Sequence, residues 1–203
     1  MTVERGVSWG RRAPLPAHGV IVHGDAEARA VVETHRRRGE PIPPLGLVGG
    51  DLCRTLGGTG DVGRLRSETA MSFPVDLGVA VLDGVRHWFI AHLIGRRSWW
   101  HGRIIAAMNA EWLGDWDLGP SSHPNDGLLD ISDADLPVGD RLKARSRLRT
   151  GAHLPHPRIR THRTSAWSTQ LSPALDVWLD GEKVGRVSHL EVGVEPDAVV
   201  VVV

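Results

Sequence analysis

Tyrosine is missing from this sequence, phenylalanine occurs twice and cysteine once, while eight tryptophans carry most of the aromatic mass. The lone Cys53 excludes an internal disulfide framework and a cysteine-rich zinc module and suits a reducing compartment; its plain reading is a buried structural thiol. Charge of one sign is missing too, since 24 basic side chains balance 24 acidic ones. No global field then selects nucleic acid or a strongly anionic surface, so any electrostatic partner has to be met by a local patch. Long hydrophobic runs are also lacking. The longest aliphatic stretch, Ala198 to Val203, is far too short to span a bilayer, and Met1 to Arg12 has no apolar segment of the kind a secretory leader needs. These absences predict a cytoplasmic protein, soluble or peripheral to a membrane. What is present suffices for a core: 203 residues at 41% hydrophobic content fit one ordinary domain or two small ones sharing an interface.

Glycine and proline punctuate the chain. Gly19 to His23 reads as a short buried strand, Gly24-Asp25 as a turn and cap, and Ala26 to Arg38 as a helix. Ala28, Val31, Val32 and His35 fall on one helical face, Arg36 to Arg38 sit at the negative end of the dipole, and Gly39 is a natural stop. After Pro41-Ile42-Pro43-Pro44 the pattern repeats: a strand at Leu45 to Val48, the turn Gly49-Gly50-Asp51, and a short helix ending at Gly57-Gly58. Strand, turn and helix twice over is the grammar of a parallel α/β sheet. From Val75 it changes. Val75 to Leu82 and Val85 to Ala91 are extended runs joined by Asp83-Gly84, a dipeptide suited to the positive φ angles of a tight hairpin. Further strands are expected at Arg103 to Met108, Leu128 to Ile131, Leu175 to Leu179, Glu182 to Arg186 and Ala198 to Val203, with a basic helix between Asp140 and Thr150. The predicted architecture is therefore α/β plus β: an α/β part over residues 1–73, then a mostly antiparallel β-rich part over residues 74–203.

Several segments could carry chemistry. A strand feeding a glycine turn and a helix N-terminus offers free backbone N–H groups and a positive dipole end to an anion, which makes Gly24, Asp25, Gly49, Gly50 and Asp51 candidates for phosphate binding; simple chain reversal explains the same turns. Asp180-Gly181 between Val177-Trp178-Leu179 and Val184 suits a type I′ hairpin, so its residues serve either the turn or a reaction. His153 and His156 have the spacing of a metal pair, but no further Cys or His ligand stands at a recognisable spacing, and packing or hydrogen bonding is the stronger reading. Arg141, Lys143, Arg145, Arg147 and Arg149 alternate in a way that spreads charge around a helix, favouring a solvated face over a patch for anionic headgroups.

Taken in order, these segments resemble the diacylglycerol and sphingosine kinase-like lipid kinases, relatives of NAD kinase. That family carries a Gly-Gly-Asp-Gly-Thr turn, and His23-Gly24-Asp25-Ala26-Glu27 stands in its register. Its next signature, a Gly-Thr-Gly-Asn-Asp turn before an Ala-Arg-x-Leu-Gly helix, is matched by Leu47-Val48-Gly49-Gly50-Asp51 and then Cys53-Arg54-Thr55-Leu56-Gly57. Asp76-Leu77-Gly78 is similar to the strand entering the second domain, and Asn109 with Gly114 to Pro120 to an Asn…Gly…Pro stretch. Asn125-Asp126-Gly127-Leu128-Leu129 resembles the Asp-Gly-Leu motif, and Gly151-x-His153-x-x-His156-Pro157 and Asp180-Gly181-Glu182 complete the series. The resemblance implies that residues 1–73 form a truncated α/β nucleotide-binding-like domain and residues 74–203 a mostly antiparallel β-sandwich cap domain, and it implies ATP- and Mg²⁺-dependent phosphoryl transfer to a lipid hydroxyl. Glu182 would be the base that takes the hydroxyl proton, Asp180 would help set that site, and a structural magnesium would be held by the Asp126 side chain with the carbonyls of His123 and Leu128.

The departures fall on the nucleotide side. Ala26 and Glu27 replace Gly-Thr, adding a methyl where backbone must come close and a negative charge where the ligand is negative. Gly50 replaces the Asn, Val48 the Thr and Leu47 the first Gly of the second turn. No room precedes Gly19 for the family's opening βαβ segment, and little of its middle region remains between Ile94 and His101. Three expectations follow: a reduced lipid kinase acting on diacylglycerol or a related lipid, a non-catalytic relative binding lipid or protein, or a chain whose sheet is completed by a homo-oligomer or another partner chain.

Overall fold

Two short βα units open the fold. The computed structural model describes residues 9–203, so most of the Met1–Arg12 segment and the start of the 1–73 unit lie outside the described residues. The strands are β1 (Arg11–Arg12), β2 (Val20–Val22), β3 (Leu45–Leu47), β4 (Met71–Leu82), β5 (Val85–Phe89), β6 (His92–Arg96), β7 (Ile104–Met108), β8 (Trp112–Leu113), β9 (Trp116–Asp117), β10 (Leu129–Ala134), β11 (Ile159–Thr164), β12 (Ala166–Leu179) and β13 (Glu182–Val202). The helices are α1 (Asp25–Arg38), α2 (Asp51–Thr55), α3 (Val62–Leu65) and α4 (Val138–Arg147).

The α1 helix starts and stops for local reasons. Asp25 and Glu27 lie in its first turn and His35 to Arg38 in its last, matching the dipole, and Gly39 closes it at φ 66° with its N–H on the Arg36 carbonyl. Its buried face is Asp25, Ala28, Arg29 and Val32, one position round from the face that the apolar pattern marks, which leaves Val31 and His35 half-buried. The rotation is set by polar partners: the Arg29 guanidinium bonds Glu182 and Glu33, so the face follows those ion pairs as well as the aliphatic residues. Val32, Leu45, Leu52, Val75, Leu77 and Val201 then pack as one cluster between the helices and the sheet. Each such side chain contributes about 1.5–3 kcal/mol by leaving water.

Among the described residues, parallel pairing is confined to β2 with β3 and β3 with the last residues of β13; the rest of the eleven-stranded sheet is antiparallel, in the order β1-β4-β13-β12-β6-β7-β10-β11 with β5 on β4. The α/β plus β architecture is thus as the sequence predicts. The same β13 carries both parts, pairing with β12 at its start and with β4 and β3 at its end. It runs unbroken through Glu195-Pro196-Asp197, where the sequence suggests two strands, because a register shift between Glu195 and Val199 and a positive φ of 51° at Asp197 absorb the proline that cannot donate to the ladder. Sheet curvature encloses a second cluster, including Phe89, Leu93, Ile105, Leu129, Leu175, Val177 and Leu190. Both hairpin turns adopt the expected form: Asp83-Gly84 has φ 46° and 87°, and Asp180-Gly181 has φ 50° and 87°.

Candidate active site

Three turns far apart in sequence deliver carboxylates to one place. Asp25 begins α1, Asp51 begins α2, and Asp180 follows β12 in the turn to β13. The Asp25 carboxylate lies across the start of α2 and accepts the N–H groups of Asp51 and, at 3.2 Å, Leu52. It therefore uses amides that the glycine turn would otherwise offer to an anion. Burial, then the charges of Asp180 and Asp51, push its pKa up to about 7 against the pull of those two hydrogen bonds.

Asp180 is buried. Its carboxylate accepts the N–H groups of Ile90 and Ala91 at 2.8 Å and His92 at 3.0 Å, and its own N–H donates to the His92 carbonyl at 2.9 Å. Four bonds fix the β12–β13 turn to the β5–β6 connection. Burial raises the Asp180 pKa, opposed by His92 and the three amides. Asn109, also buried, ties the same connection to β4 by donating to the carbonyls of Ile90 at 2.8 Å and Asp76 at 2.9 Å.

His92 completes the cluster. Its Nε2 lies 2.9 Å from the Asp51 carboxylate, whose other oxygen accepts the Gly114 N–H at 2.9 Å. Burial acts against a charged imidazole, but the bond to Asp51 and the fields of Asp180, Asp51 and Asp25 outweigh it and raise the pKa. One oxygen each of Asp25 and Asp51 and one nitrogen of His92 all lie within 4.8 Å of one another, a spacing a divalent cation could bridge. Glu182 stands just beyond the turn, its side chain 61% exposed, joined to the nearly buried Arg29 one helical turn after Asp25. His92 and Arg29 carry no sequence signal of a site role: one is a histidine at a strand start, the other an arginine within a helix.

Residues 67–203 match the family described as the YegS C-terminal NAD kinase beta sandwich-like domain. The chain belongs to this family. The fold of this YegS-type chain is similar to that of "a putative diacylglycerol kinase" from Bacillus anthracis str. Sterne, at 16% identity over 91% of this chain and 77% of that one, with a TM-score of 0.68. A further structure, of a diacylglycerol kinase from the same organism, is similar at 16% identity over 91% of this chain and 75% of that one, with a TM-score of 0.60. No curated protein matches. Identity at this level shows the fold alone.

The remaining motif residues of the YegS-type domain lie elsewhere. Asp126 accepts the Leu128 N–H at 2.9 Å, and its second oxygen is bonded to the Arg163 guanidinium from β11. The His123 ring packs against Trp9 at a tilt of 56° with centroids 5.0 Å apart, while its Nδ1 accepts the Asn125 N–H at 3.3 Å. The neighbouring Asp76 carboxylate accepts Gly127 N–H at 2.7 Å and Asp197 N–H at 2.8 Å. A cation partner for Asp126 is thus present as Arg163. Arg54 lies over the Trp112 ring at 3.5 Å and donates to the Gly114 carbonyl, so the Arg54-Thr55-Leu56-Gly57 segment docks α2 on the β8–β9 hairpin. Cys53 is buried with its thiol on the Leu47 carbonyl, a structural role. Arg141 is buried and donates to the carbonyls of Leu136, Trp99 and Gly102, so the basic helix α4 is not solvated all round. No helix among the described residues is long and apolar enough to cross a membrane.

Proposed function

We propose that this chain is a lipid kinase of the diacylglycerol-kinase type, moving the γ-phosphoryl group of Mg²⁺-bound ATP to a lipid hydroxyl. The observation that carries this reading is the convergence of Asp25, Asp51 and Asp180, with Glu182 held beside them by Arg29. Hard oxygen donors with one imidazole suit a divalent cation; burial, then the charges of Asp180 and Asp51, raise the pKa of Asp25, and such an ion relieves the repulsive part. Phosphate fits one turn and not the other. Beside Gly24, at the N-terminus of the 14-residue α1, no atom lies within 4 Å of where a Cβ would stand. Beside Gly50 that space is filled by the Asp25 carboxylate. Bound Mg²⁺ and ATP would supply charge neutralisation and the phosphoryl group. Asp25, Asp51 and His92 would hold the cation. Asp180 fixes the turn that carries Glu182, Arg29 orients the Glu182 carboxylate, and Glu182 takes the proton from the acceptor hydroxyl.

A second reading, a non-catalytic relative that binds lipid or protein, is favoured by a different observation. Glu27 folds back to accept the His23 N–H at 2.7 Å, placing a negative charge at the mouth of the open turn. The two readings separate in one assay. Transfer of labelled γ-phosphate to dispersed diacylglycerol is expected from the native chain and should fall about a hundredfold or more in Glu182→Gln, the usual scale for loss of a general base. No transfer by the native chain at saturating Mg²⁺, together with thermal stabilisation by lipid alone, rejects the kinase in favour of the binding module.

A further inference from the structure

The Asp126 turn differs from the acid cluster in having its positive charge built in, and strand register supplies it. On β10 the alternation buries Leu129 and Ile131 and turns Asp130 to the other face; β11 pairs with β10 so that Arg163 stands directly opposite Asp130. From there the guanidinium reaches past Asp130, its Nε 4.0 Å from that carboxylate, and its Nη2 bonds the Asp126 side chain. The bond to Asp126 holds the Arg163 pKa above its ordinary value, so the charge is permanent.

Each carboxylate oxygen of Asp76, Asp126 and Asp130 already faces a protein partner. Asp126 accepts the Leu128 N–H at 2.9 Å with one oxygen and Arg163 with the other. Asp130 accepts the Ser122 hydroxyl at 3.0 Å and turns its second oxygen to Arg163. Asp76 takes the Gly127 and Asp197 N–H groups. The turn is anchored on both sides as well. The buried Asn125 donates to the Pro74 carbonyl at 2.9 Å and to the Asp197 carboxylate at 2.7 Å, and Gly127 adopts the left-handed φ of 73° that the bend requires.

A divalent ion and a guanidinium compete for the same Asp126 oxygen. Mg²⁺ at ligand distance would set its two charges beside the one on Arg163, and it would have to shed water that it holds firmly. The Asp126 side chain is only 13% exposed, so solvent screens that repulsion weakly. With Arg163 in place, the set of Asp126 with the His123 and Leu128 carbonyls does not fit the magnesium ion that the resemblance implies.

We propose that the Arg163 guanidinium stands in for the metal at the Asp126 turn, making it a metal-free joint between β4, β10 and β11. Divalent cations then act on this chain at other residues. The inference holds whether or not the acid cluster binds Mg²⁺ or the chain transfers phosphate.

Urea unfolding of the full chain, followed by tryptophan fluorescence in EDTA and at saturating Mg²⁺, tests this in the native chain, Asp126→Asn, Arg163→Met and the double variant. The shift of the midpoint caused by Mg²⁺ should be the same in the native chain and in Asp126→Asn, since any bound ion touches other residues. Arg163→Met, at a side chain 46% exposed, should lower the midpoint in EDTA by about 0.3 M, the scale of a partly exposed ion pair, and should gain a further Mg²⁺ shift that the double variant lacks. A Mg²⁺ shift that shrinks in Asp126→Asn overturns the proposal, because the native turn would then hold the ion. No added Mg²⁺ shift in Arg163→Met equally overturns it, leaving Arg163 an ordinary ion pair, and this comparison with the native chain stands even if Asp126→Asn does not fold.

Discussion

Stability should fall as pH rises through neutrality, because the groups of the acid cluster prefer to be protonated in the folded chain. Asp25 releases its proton near pH 7 when folded and near 3.8 when unfolded. Between pH 6.5 and 8.5 the unfolded carboxylate is already ionised, whereas the folded one must ionise beside Asp180 and Asp51. The folded state therefore binds more protons, and stability drops by about 1 kcal/mol from this residue alone. His92 acts in the same direction: its pKa is raised above 6.5, so its contribution is complete below that value and is lost as pH climbs through the folded value. His153, whose pKa burial depresses, works oppositely but only below 6.5, and Asp176, Asp197 and Glu27, lowered by their hydrogen bonds, matter only below about 4.5. With a urea slope of about 2 kcal/mol per molar, the midpoint of tryptophan-monitored unfolding should move down by about 0.5 M or more between pH 6.5 and 8.5. Mg²⁺ at pH 8.5 should reverse most of the drop, since a cation replaces the proton as counter-charge. A midpoint that is level or rising over this range, or one indifferent to Mg²⁺, would refute the electrostatic account of the cluster.

Two further outcomes separate structural from functional residues. Asp180→Asn keeps the shape of the turn but offers an amide to backbone N–H groups that need an acceptor, so the unfolding free energy should fall by about 2–3 kcal/mol, whereas Glu182→Gln, an exposed side chain that loses only its pairing with Arg29, should cost less while lowering transfer about a hundredfold or more. Gly78 faces the buried Phe89 so closely that a Cβ would stand 2.1 Å from the ring. Gly78→Ala should cost about 1–3 kcal/mol in urea unfolding, and the loss should be smaller when measured in a Phe89→Leu background; additive losses would mean the two do not touch.

Much of the fold could be read in the sequence because it rests on local rules. The strand-glycine-helix pattern at Gly19 to Gly39, the left-handed Gly39 stop and the two Asp-Gly hairpins all follow from backbone preferences. The edge strand β11 is polar and largely exposed, which leaves no alternation in the sequence to mark it. β12 was legible only in its last five residues, because Pro173 and the register shift between Gln170 and Leu175 interrupt its pattern. The ordered motifs Gly24-Asp25, Gly49-Gly50-Asp51 and Asp180-Gly181-Glu182 pointed to residues that the fold does bring together. What they could not give was the polar mortar between them. Arg29 to Glu182 spans α1 and the β12–β13 turn, and His92 to Asp51 joins β6 to α2; both are contacts of tertiary structure with no periodicity behind them.

The three acidic turns are proposed as a site for a cation and nucleotide phosphates. Calorimetric titration of Mg-ATP into the native chain and into Asp51→Asn at pH 7.5 tests it most directly. The account predicts saturable binding by the native chain and an affinity lower by about tenfold or more in the variant, as expected for loss of one charged cation ligand. No binding heat from the native chain, or equal affinity in the two proteins, would contradict it.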